Sequence, residues 1–534
     1  MRSCLLAVAL MLSLPAVAKD TPQDPAQLVR THGYVHIAFP KGGGDALVVS
    51  PVAGGKDVKI DTPAAVPPVA NALAYGKWLP AGTYRITGWG ALKWENGPQF
   101  EVKAGRATDI GDFTGVNVGG YQMVLVPIPH AENQSTYAAA TKSFAAVLSD
   151  PAPISLSLST VSPAMVMGQK GSGLGLIVDL MLAYDRKINK PSTQEAMKAA
   201  KDPAEFLRLA RTLALPLQDE PARTSDGAMY FPADFGQLRK RAPDGQWSNV
   251  GIDTLRQILA VEEADGRLLA GSDDGHIRES LDDGATWHEV KALGGMQSIV
   301  DIDHAGNAWV VTTIEMFDDP DAPRGGGLVV AMKGAKSARL RVYKGSQPDL
   351  GDLMSSREFV LAPRDLVGWQ GARGQLVDGY YHLTAGTSLQ RLDVATGQWK
   401  TTTPNERISS LRVDPSSGVL TALWSQGAFS KVFVSSNRGD RWDQIGRPPY
   451  IIFDVQMDTQ NSGWASRWNM GAFGGTWETY AFEPAKNDWN KSGEAPFNCK
   501  LMRVAKDVPV LCLAPDASIL GLHAGKWEAE FSAM

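Results

Sequence analysis

Six tryptophans, each placed just after turn-forming residues, recur through the second half of the chain at spacings near one another. Asp244-Gly245-Gln246-Trp247, Gly284-Ala285-Thr286-Trp287, Thr396-Gly397-Gln398-Trp399, Gly439-Asp440-Arg441-Trp442, Asn487-Asp488-Trp489 and Ala524-Gly525-Lys526-Trp527 carry the pattern, and Arg341-Val342-Tyr343 supplies a seventh anchor with Tyr for Trp. The spacings between anchors are 40, 56, 56, 43, 47 and 38. A period in this range, with strand-like segments between, is what four-stranded propeller blades produce. The stretches Leu268-Leu269-Ala270-Gly271-Ser272, Ala308-Trp309-Val310-Val311-Thr312 and Val419-Leu420-Thr421-Ala422-Leu423-Trp424 read as second strands, each preceded by a Gly-, Asn- or Asp-containing turn.

The fullest copy is Ser280-Leu281-Asp282-Asp283-Gly284-Ala285-Thr286-Trp287, an S-x-D-x-G-x-T-W pattern. A worn copy is Ser435-Ser436-Asn437-Arg438-Gly439-Asp440-Arg441-Trp442, with Asn for Asp and Arg for Thr. In a tight hairpin the Asp or Asn accepts turn N–H bonds, the Gly supplies a positive φ, and the Trp starts the outgoing strand and buries its ring. The pattern resembles the Asp-box of BNR-repeat β-propellers, the class of sialidases, sortilin-like receptors and photosystem assembly factors. The resemblance implies that Ser280, Asp282, Gly284, Thr286 and Trp287, with Ser435, Asn437, Gly439 and Trp442, are structural. It also implies a mainly β chain whose residues 221–534 form a seven-bladed propeller. Six blades remain the alternative if the first fragment only completes the last blade. Ring closure is expected to pair segment 221–250 with segment 500–531, because pairing removes free sheet edges.

The chain has 534 residues, room for two or three domains. Its net charge of −5 gives no reason to expect nucleic acid or an anionic membrane as partner. Residues 1–18 read as a secretory signal: Arg2, an apolar run from Cys4 to Leu14, and an Ala16-Val17-Ala18 cleavage site. The apolar run is too short to span a bilayer, so the mature chain is expected in the periplasm or secreted, without a transmembrane segment. Cleavage leaves Cys499 and Cys512. An exported compartment favours a disulfide between them. A hairpin turning at Lys506-Asp507 would set Cys499 opposite Ala514 and Cys512 opposite Leu501, diagonal neighbours with Cβ atoms up to about 7–8 Å apart, whereas a relaxed bridge needs roughly 3.5–4.5 Å.

Residues 19–30 read as a flexible leader and 31–130 as a small β-sandwich. Strands are expected at 34–39 and 46–50, and 100–106 with 108–113 is expected to form a hairpin. The run Leu79-Pro80-Ala81-Gly82-Thr83-Tyr84-Arg85-Ile86, followed by 100–112, resembles exported sandwiches of the DUF2846 or carboxypeptidase-regulatory kind, usually structural or interaction units. Residues 131–220 change character to a mainly helical connector. A helix is expected over 135–148, a second opens at the capping box Ser192-Thr193-Gln194-Glu195, and Asp202-Pro203 caps a third. Segment 151–161 alternates as a strand, and a helix is expected over 176–188.

No complete catalytic constellation is present. Sialidases carry an F/Y-R-I-P motif; Tyr84-Arg85-Ile86-Thr87 lacks the Pro and lies in the sandwich. No motif places Arg324, Arg357, Arg373 and Arg467 in an arginine triad. H-E-x-x-H, C-x-x-C, P-loop and G-x-S-x-G patterns are absent. Two long insertions follow second strands, in blades three and six. The first, 314–327, holds Glu315, Asp318, Asp319, Asp321 and Arg324; the second, 466–477, holds Arg467, Trp468, Asn469 and Trp477. Asp318, Asp319 and Asp321 are either Ca²⁺ ligands or a solvated acidic loop, since EF-hand spacing is lacking. Trp468 and Trp477 either stack on a ligand or cap the blade core. Glu315, Arg324, Arg467 and Trp468 are the expected ligand-binding residues at one mouth of the channel. The favoured reading is a non-catalytic exported binding or assembly protein whose partner is another envelope protein or a glycan. The alternative is a glycan-active hydrolase or lyase of the sialidase-like class, which would place carboxylates in the channel at hydrolase separations.

Overall fold

The computed structural model describes residues 24–532, apart from 42–45, 66–72, 90–91, 95–96, 119–121, 129–134, 152–164, 168–191, 201, 215–219, 295, 320–335, 348, 367–370, 373, 427–428, 449–451, 472–473, 497–498 and 515–516. From 222 onward the chain makes seven four-stranded antiparallel sheets in succession, each of four consecutive strands: sheet 1 (222–251), sheet 2 (258–292), sheet 3 (298–361), sheet 4 (374–401), sheet 5 (410–445), sheet 6 (452–494) and sheet 7 (500–531). Second strands such as Arg267–Ser272 and Tyr380–Ala385 are buried along almost their whole length. Fourth strands such as Trp247–Gly251 are largely exposed. That gradient follows from position, because inner strands are covered on both faces by neighbouring sheets.

First strands of successive sheets lie against one another in four places: sheets 1 and 2, 2 and 3, 3 and 4, and 5 and 6. Each pair of neighbouring sheets encloses an apolar cluster. Tyr230 and Leu268 join sheets 1 and 2, Leu269 and Trp309 sheets 2 and 3, and Leu340 and Leu383 sheets 3 and 4. Leu389 and Leu420 join sheets 4 and 5, Leu423 and Tyr480 sheets 5 and 6, and Trp464 and Leu501 sheets 6 and 7. Sheet 7 in turn meets sheet 1 through Met502, Leu511 and Ile519 against Met229, Phe231 and Trp247. The row of sheets therefore returns on itself, the arrangement of a β-propeller.

The tryptophan anchors hold this row together. Trp399 of sheet 4 donates its indole N–H to Ser356 of sheet 3 (3.2 Å). Trp442 donates to the Thr402 carbonyl at the exit of sheet 4 (2.6 Å), Trp489 to Gly446 at the exit of sheet 5 (2.8 Å), and Trp527 to Glu494 at the end of sheet 6 (2.8 Å). Trp247 of sheet 1 donates to the Glu530 carboxylate of sheet 7 (2.8 Å), which also receives Arg241. Each indole thus reaches the outer strand, or its exit, of the sheet before it. Trp287 differs by capping its own turn at the Gly284 carbonyl (3.0 Å), while its ring packs on the apolar cluster between sheets 1 and 2.

Three expectations are corrected. Tyr343 lies on the third strand of sheet 3, Lys336–Gly345, and donates to Gln297 (2.7 Å); the fourth strand is Met354–Leu361, preceded by Leu350 and Leu353, which fill the anchor's place against sheet 2. Segments 221–250 and 500–531 do not share a sheet. Each supplies four strands of its own, so their meeting is face to face, with the Arg241–Glu530 ion pair at its edge. In the N-terminal module the expected hairpin across Lys103-Ala104-Gly105 does not pair with itself. Gln99–Val102 pairs with Gly82–Trp89, while Arg106–Asn117 runs parallel to His32–Lys41, so the chain turns a corner between two layers there. The connector also gives strands to the first sheet: Asp150–Pro151 pairs with Arg106–Asn117, and Met165–Met167 pairs with Gln122–Ile128.

That first sheet has 12 strands and folds around one core, in which Val35, Ile37 and Phe39 face Leu47, Val49 and Ile86. The connector helices Ser192–Ala199 and Pro203–Thr212 follow, the second capped by the Asp202 side chain on Ala204 N–H (3.3 Å). The expected helix over 176–188 and most of the strand over 151–161 lie outside the described residues, as does the leader up to residue 23. No described helix is long and apolar enough to cross a membrane.

In sheet 7, Lys500, Leu501 and Met502 pair with Leu513, Cys512 and Leu511. Cys499 sits one residue before the ladder and is bonded to Cys512, with Cα atoms 5.3 Å apart. Freed from the ladder's spacing, Cys499 can approach a residue it would otherwise meet only diagonally.

Two outcomes are expected. Trp489→Ala should cost about 3–5 kcal/mol in urea denaturation, as large-to-small core changes do, whereas Trp489→Phe, which keeps one aromatic ring and loses the N–H and part of the indole's bulk, should cost less. Mass spectrometry of alkylated, non-reduced protein should find no free thiol at Cys499 or Cys512; two alkylated cysteines would refute the bridge.

Candidate functional site

The S-x-D-x-G turn is closed by its own atoms. Asp282 accepts from Ser280 Oγ (2.8 Å), Thr286 N–H (2.8 Å) and Thr286 Oγ1 (2.7 Å), while Ser280 Oγ accepts from Gly284 N–H (2.8 Å). The Thr286 hydroxyl first, then the Thr286 N–H and Ser280, hold the Asp282 carboxyl down at about 2. Asn437 repeats the arrangement with Ser435 (2.9 Å) and Arg441 N–H (2.9 Å). Gly284 has φ +88°, and a Cβ there would strike Val250 of sheet 1 at 2.3 Å; at Gly439, φ +80°, it would strike Thr402 at 2.8 Å. Both glycines are therefore required by conformation and by contact with the preceding sheet. Asp282→Asn should melt below wild type at neutral pH but above Asp282→Ala, because Asn keeps the acceptor for Ser280 and Thr286 N–H, as Asn437 does in sheet 5, and loses the one for Thr286 Oγ1. An equal loss in both would show that the charge, rather than the acceptor, matters.

Topology decides which loops share a mouth of the ring. Four antiparallel strands return the chain to the end of the sheet where it came in. Second-to-third hairpins fall at that same end, here called the crossover end, and the links 252–257, 293–297, 402–409, 446–451 and 495–499 are short. The two insertions are second-to-third hairpins of sheets 3 and 6, so they rise at one end of the ring. They are built as extended strands, Ala308–Asp318 with Lys336–Gly345 and Ser462–Gly471 with Gly474–Glu483, rather than as loops from 314 and 466 onward.

Their charged residues are engaged within each hairpin. Glu315 pairs with Arg339 (3.2 Å) and Arg341 (2.9 Å), both of which also meet Glu358 (2.9 Å each). Arg467 pairs with Glu478, which further accepts from Lys491 (2.9 Å), Tyr480 (2.8 Å) and Asn469 (3.2 Å). Burial acts to raise the Glu478 carboxyl, but these donors outweigh it and hold the group at about 2. Trp468 and Trp477 meet edge to face across the hairpin at 5.3 Å. Arg324 and Asp321 lie outside the described residues. Asp319 accepts from Ser337 (2.8 Å), and Asp318 ends its strand exposed. Among the described residues no group of three or more His, Cys, Asp or Glu is placed to hold a metal ion. Of the candidate arginines, only Arg357 and Arg467 are among the described residues. Arg357 stacks on Phe359 and Trp399 at the rim of sheet 3, far in the chain's order of strands from Arg467, and Arg324 and Arg373 lie outside the described residues.

The N-terminal module is seated on the crossover end of sheets 1 and 2. Val116, Val124 and Val126 of its sheet, with Met197 and Phe206 of the connector helices, enclose Phe235 and Leu255. Arg239 of sheet 1, fully buried, donates to the Ala214 carbonyl (2.7 Å) and to the Thr212 carbonyl at the end of the helix Pro203–Thr212. Arg256 in the link between sheets 1 and 2 reaches Asp112 of the module (3.2 Å).

The channel side carries carboxylates that the sequence reading did not single out. Asp301 and Asp303, on the first strand of sheet 3, repel each other, and the Tyr381 hydroxyl donates to Asp301 (2.5 Å) while paired with Thr312 (2.6 Å). Glu262, on the first strand of sheet 2, couples to both. Enclosure by protein first, and mutual repulsion second, push all three carboxyls well above the usual range. Arg412 of sheet 5 grips Asp454 of sheet 6 (3.1 and 2.9 Å) and Glu220 of the connector (3.3 Å), and Glu220 in turn repels Asp301 and Asp303. Two Asp residues at i and i+2 in an otherwise apolar first strand are the signal that could have found them.

No family model matches the chain, and no curated protein matches it in sequence. Solved structures similar to it include YCF48 bound to a D1 peptide (12% identity, TM-score 0.38, covering 56% of this chain and 92% of that one). Others are a nidogen/laminin complex (12%, 0.31, 50% and 93%) and a mitotic checkpoint complex (10%, 0.34, 58% and 85%).

The raised carboxyls bind protons in the folded protein that the unfolded chain releases near pH 4. Their contribution is present in full below that range and is lost as pH rises towards their folded values. Urea midpoints should fall between pH 5 and 8 by about 1.4 kcal/mol per unit of raised pKa, and Asp303→Asn should flatten the fall and exceed wild type at pH 8. A wild-type profile that rises with pH would contradict this assignment.

Proposed function

We propose that this is an exported bacterial binding or assembly protein, non-catalytic, with a BNR/Asp-box β-propeller as its docking platform. In this reading the seven sheets are seven blades of one closed ring. Residues 1–18 are a signal peptide, 19–30 a leader, and the N-terminal module is a β-sandwich. The protein works in the periplasm or outside the cell. The observation that carries the reading is the asymmetric use of the crossover end. The N-terminal module is fixed over sheets 1 and 2, while the tall hairpins of sheets 3 and 6 rise from the same end with exposed Phe429 of the sheet 5 hairpin beside them. A fixed wall facing tall hairpins is a shape for holding an exported polypeptide or a glycan. Trp468 and Phe429 supply aromatic contact area there, and Glu315, Arg324 and Arg467 set the local charge.

The channel carboxylates are the observation on which a glycan-active reading would rest. Hydrolases hold two carboxyls about 5–9.5 Å apart against the substrate, whereas Asp301 is taken up by the Tyr381 hydroxyl (2.5 Å). The binding reading is therefore preferred. Immobilised mature protein should capture a defined partner from periplasmic extract, and Trp468→Ala with Phe429→Ala should reduce capture at least tenfold at unchanged melting temperature. A fluorogenic glycoside panel should give no turnover. Equal capture by wild type and the double variant, or turnover abolished by Asp301→Asn, would overturn the reading.

A further inference from the structure

In five of the sheets the second strand ends within three residues of its last pair with the first strand. In sheets 3 and 6 it overhangs by four. The last pairs there are Ser298 with Ile314 and Ile452 with Arg467, while the second strands run on to Asp318 and Gly471. First strands lie innermost in the ring, so each overhang turns a β-edge towards the channel axis. Four residues make that edge about 13 Å long at the usual rise. Every second residue along it points its N–H and C=O away from the hairpin. Among the described residues no backbone group pairs with 468–471 on that side.

The two edges differ in how they are guarded. Free edges are ordinarily blunted by charge, proline or a bulge. Segment 315–318 carries Glu315 and Asp318. Segment 468–471 is Trp-Asn-Met-Gly, without charge or proline, and its pairing with the third strand is regular from Trp464 to Gly471. We propose that the axis-facing edge of 468–471 takes up an extended segment of an exported polypeptide as an added β-strand. This rests on the binding reading above and narrows its partner to a polypeptide, because donors and acceptors repeating about every 6.7 Å are matched by another strand. Trp468 lies on the hairpin face that carries Trp477, and Asn469 on the face that carries Glu478. An added strand sets one side chain beside the Trp468 ring and the next beside Asn469. It therefore favours aromatic or aliphatic residues at alternate positions and no proline among the residues that must donate.

Decapeptides of random sequence, selected on the immobilised full chain, are the probe. A selected peptide should lose binding at least tenfold when N-methylated at alternate backbone amides, and keep it when the intervening amides are methylated. With the peptide bound, hydrogen exchange over 466–471 should slow at least tenfold while 336–345 stays unchanged. Asn469→Lys, at an exposed position, puts a guarding charge on the edge and should weaken binding at least tenfold at unchanged melting temperature. Failure to select any peptide, N-methyl losses without a period of two, or protection elsewhere on the ring overturns the proposal. If periplasmic extract still yields a captured partner, that result removes strand addition and leaves the binding reading standing; loss of capture as well removes both.

Discussion

The indole N–H that five of the six anchor tryptophans give to the preceding sheet is the contact on which the architecture depends. A four-stranded sheet with two apolar faces is not stable alone; it needs neighbours at a fixed angle on both sides. Apolar contact is non-directional, so the clusters between sheets supply cohesion but little orientation. The bonds from Trp399, Trp442, Trp489, Trp527 and Trp247 add the direction, each tying one sheet's outgoing strand to the rim of the sheet before it. Where the anchor is missing, in sheet 3, Leu350 and Leu353 fill the space and the sheet is instead the one with the long strands.

This dependence explains what could be read in the sequence. The tryptophans are visible because turn residues and a large ring recur along the chain, so a succession of similar four-stranded sheets was legible from their spacing. Tyr343 misled because an aromatic at a suitable spacing can equally sit on a third strand. The expected pairing of the two ends failed for a related reason: neither segment lacks a strand, which spacing cannot reveal. In the N-terminal module strands were expected at 100–106 and 108–113 and stand at Gln99–Val102 and Arg106–Asn117, but their partners were not legible, since a short link serves a hairpin and a corner between layers alike.

The candidate site was less legible. Glu315 and Arg467 were singled out for their place in long insertions, and they do rise at the crossover end, but each is held by partners inside its own hairpin. Trp468 and Trp477 meet each other. The groups with unusual electrostatics, Asp301, Asp303 and Glu262, come together from strands of different sheets. Nothing local marks them, apart from acidic residues standing where a buried strand would be apolar.

The seam between sheets 1 and 7 has a consequence for how the molecule is made. Trp247 and Glu530 are 283 positions apart, so this contact can form only after nearly the whole chain has been synthesised. Until then sheet 1 exposes the apolar face of Met229 and Phe231, and the growing protein is an open arc with one sticky edge. The N-terminal module, complete long before, already rests on sheets 1 and 2 and holds the starting edge of the arc in shape. Closure then becomes the docking of a late, disulfide-stiffened sheet onto an early, braced one, and loss of the last few residues would leave an arc that never becomes a ring.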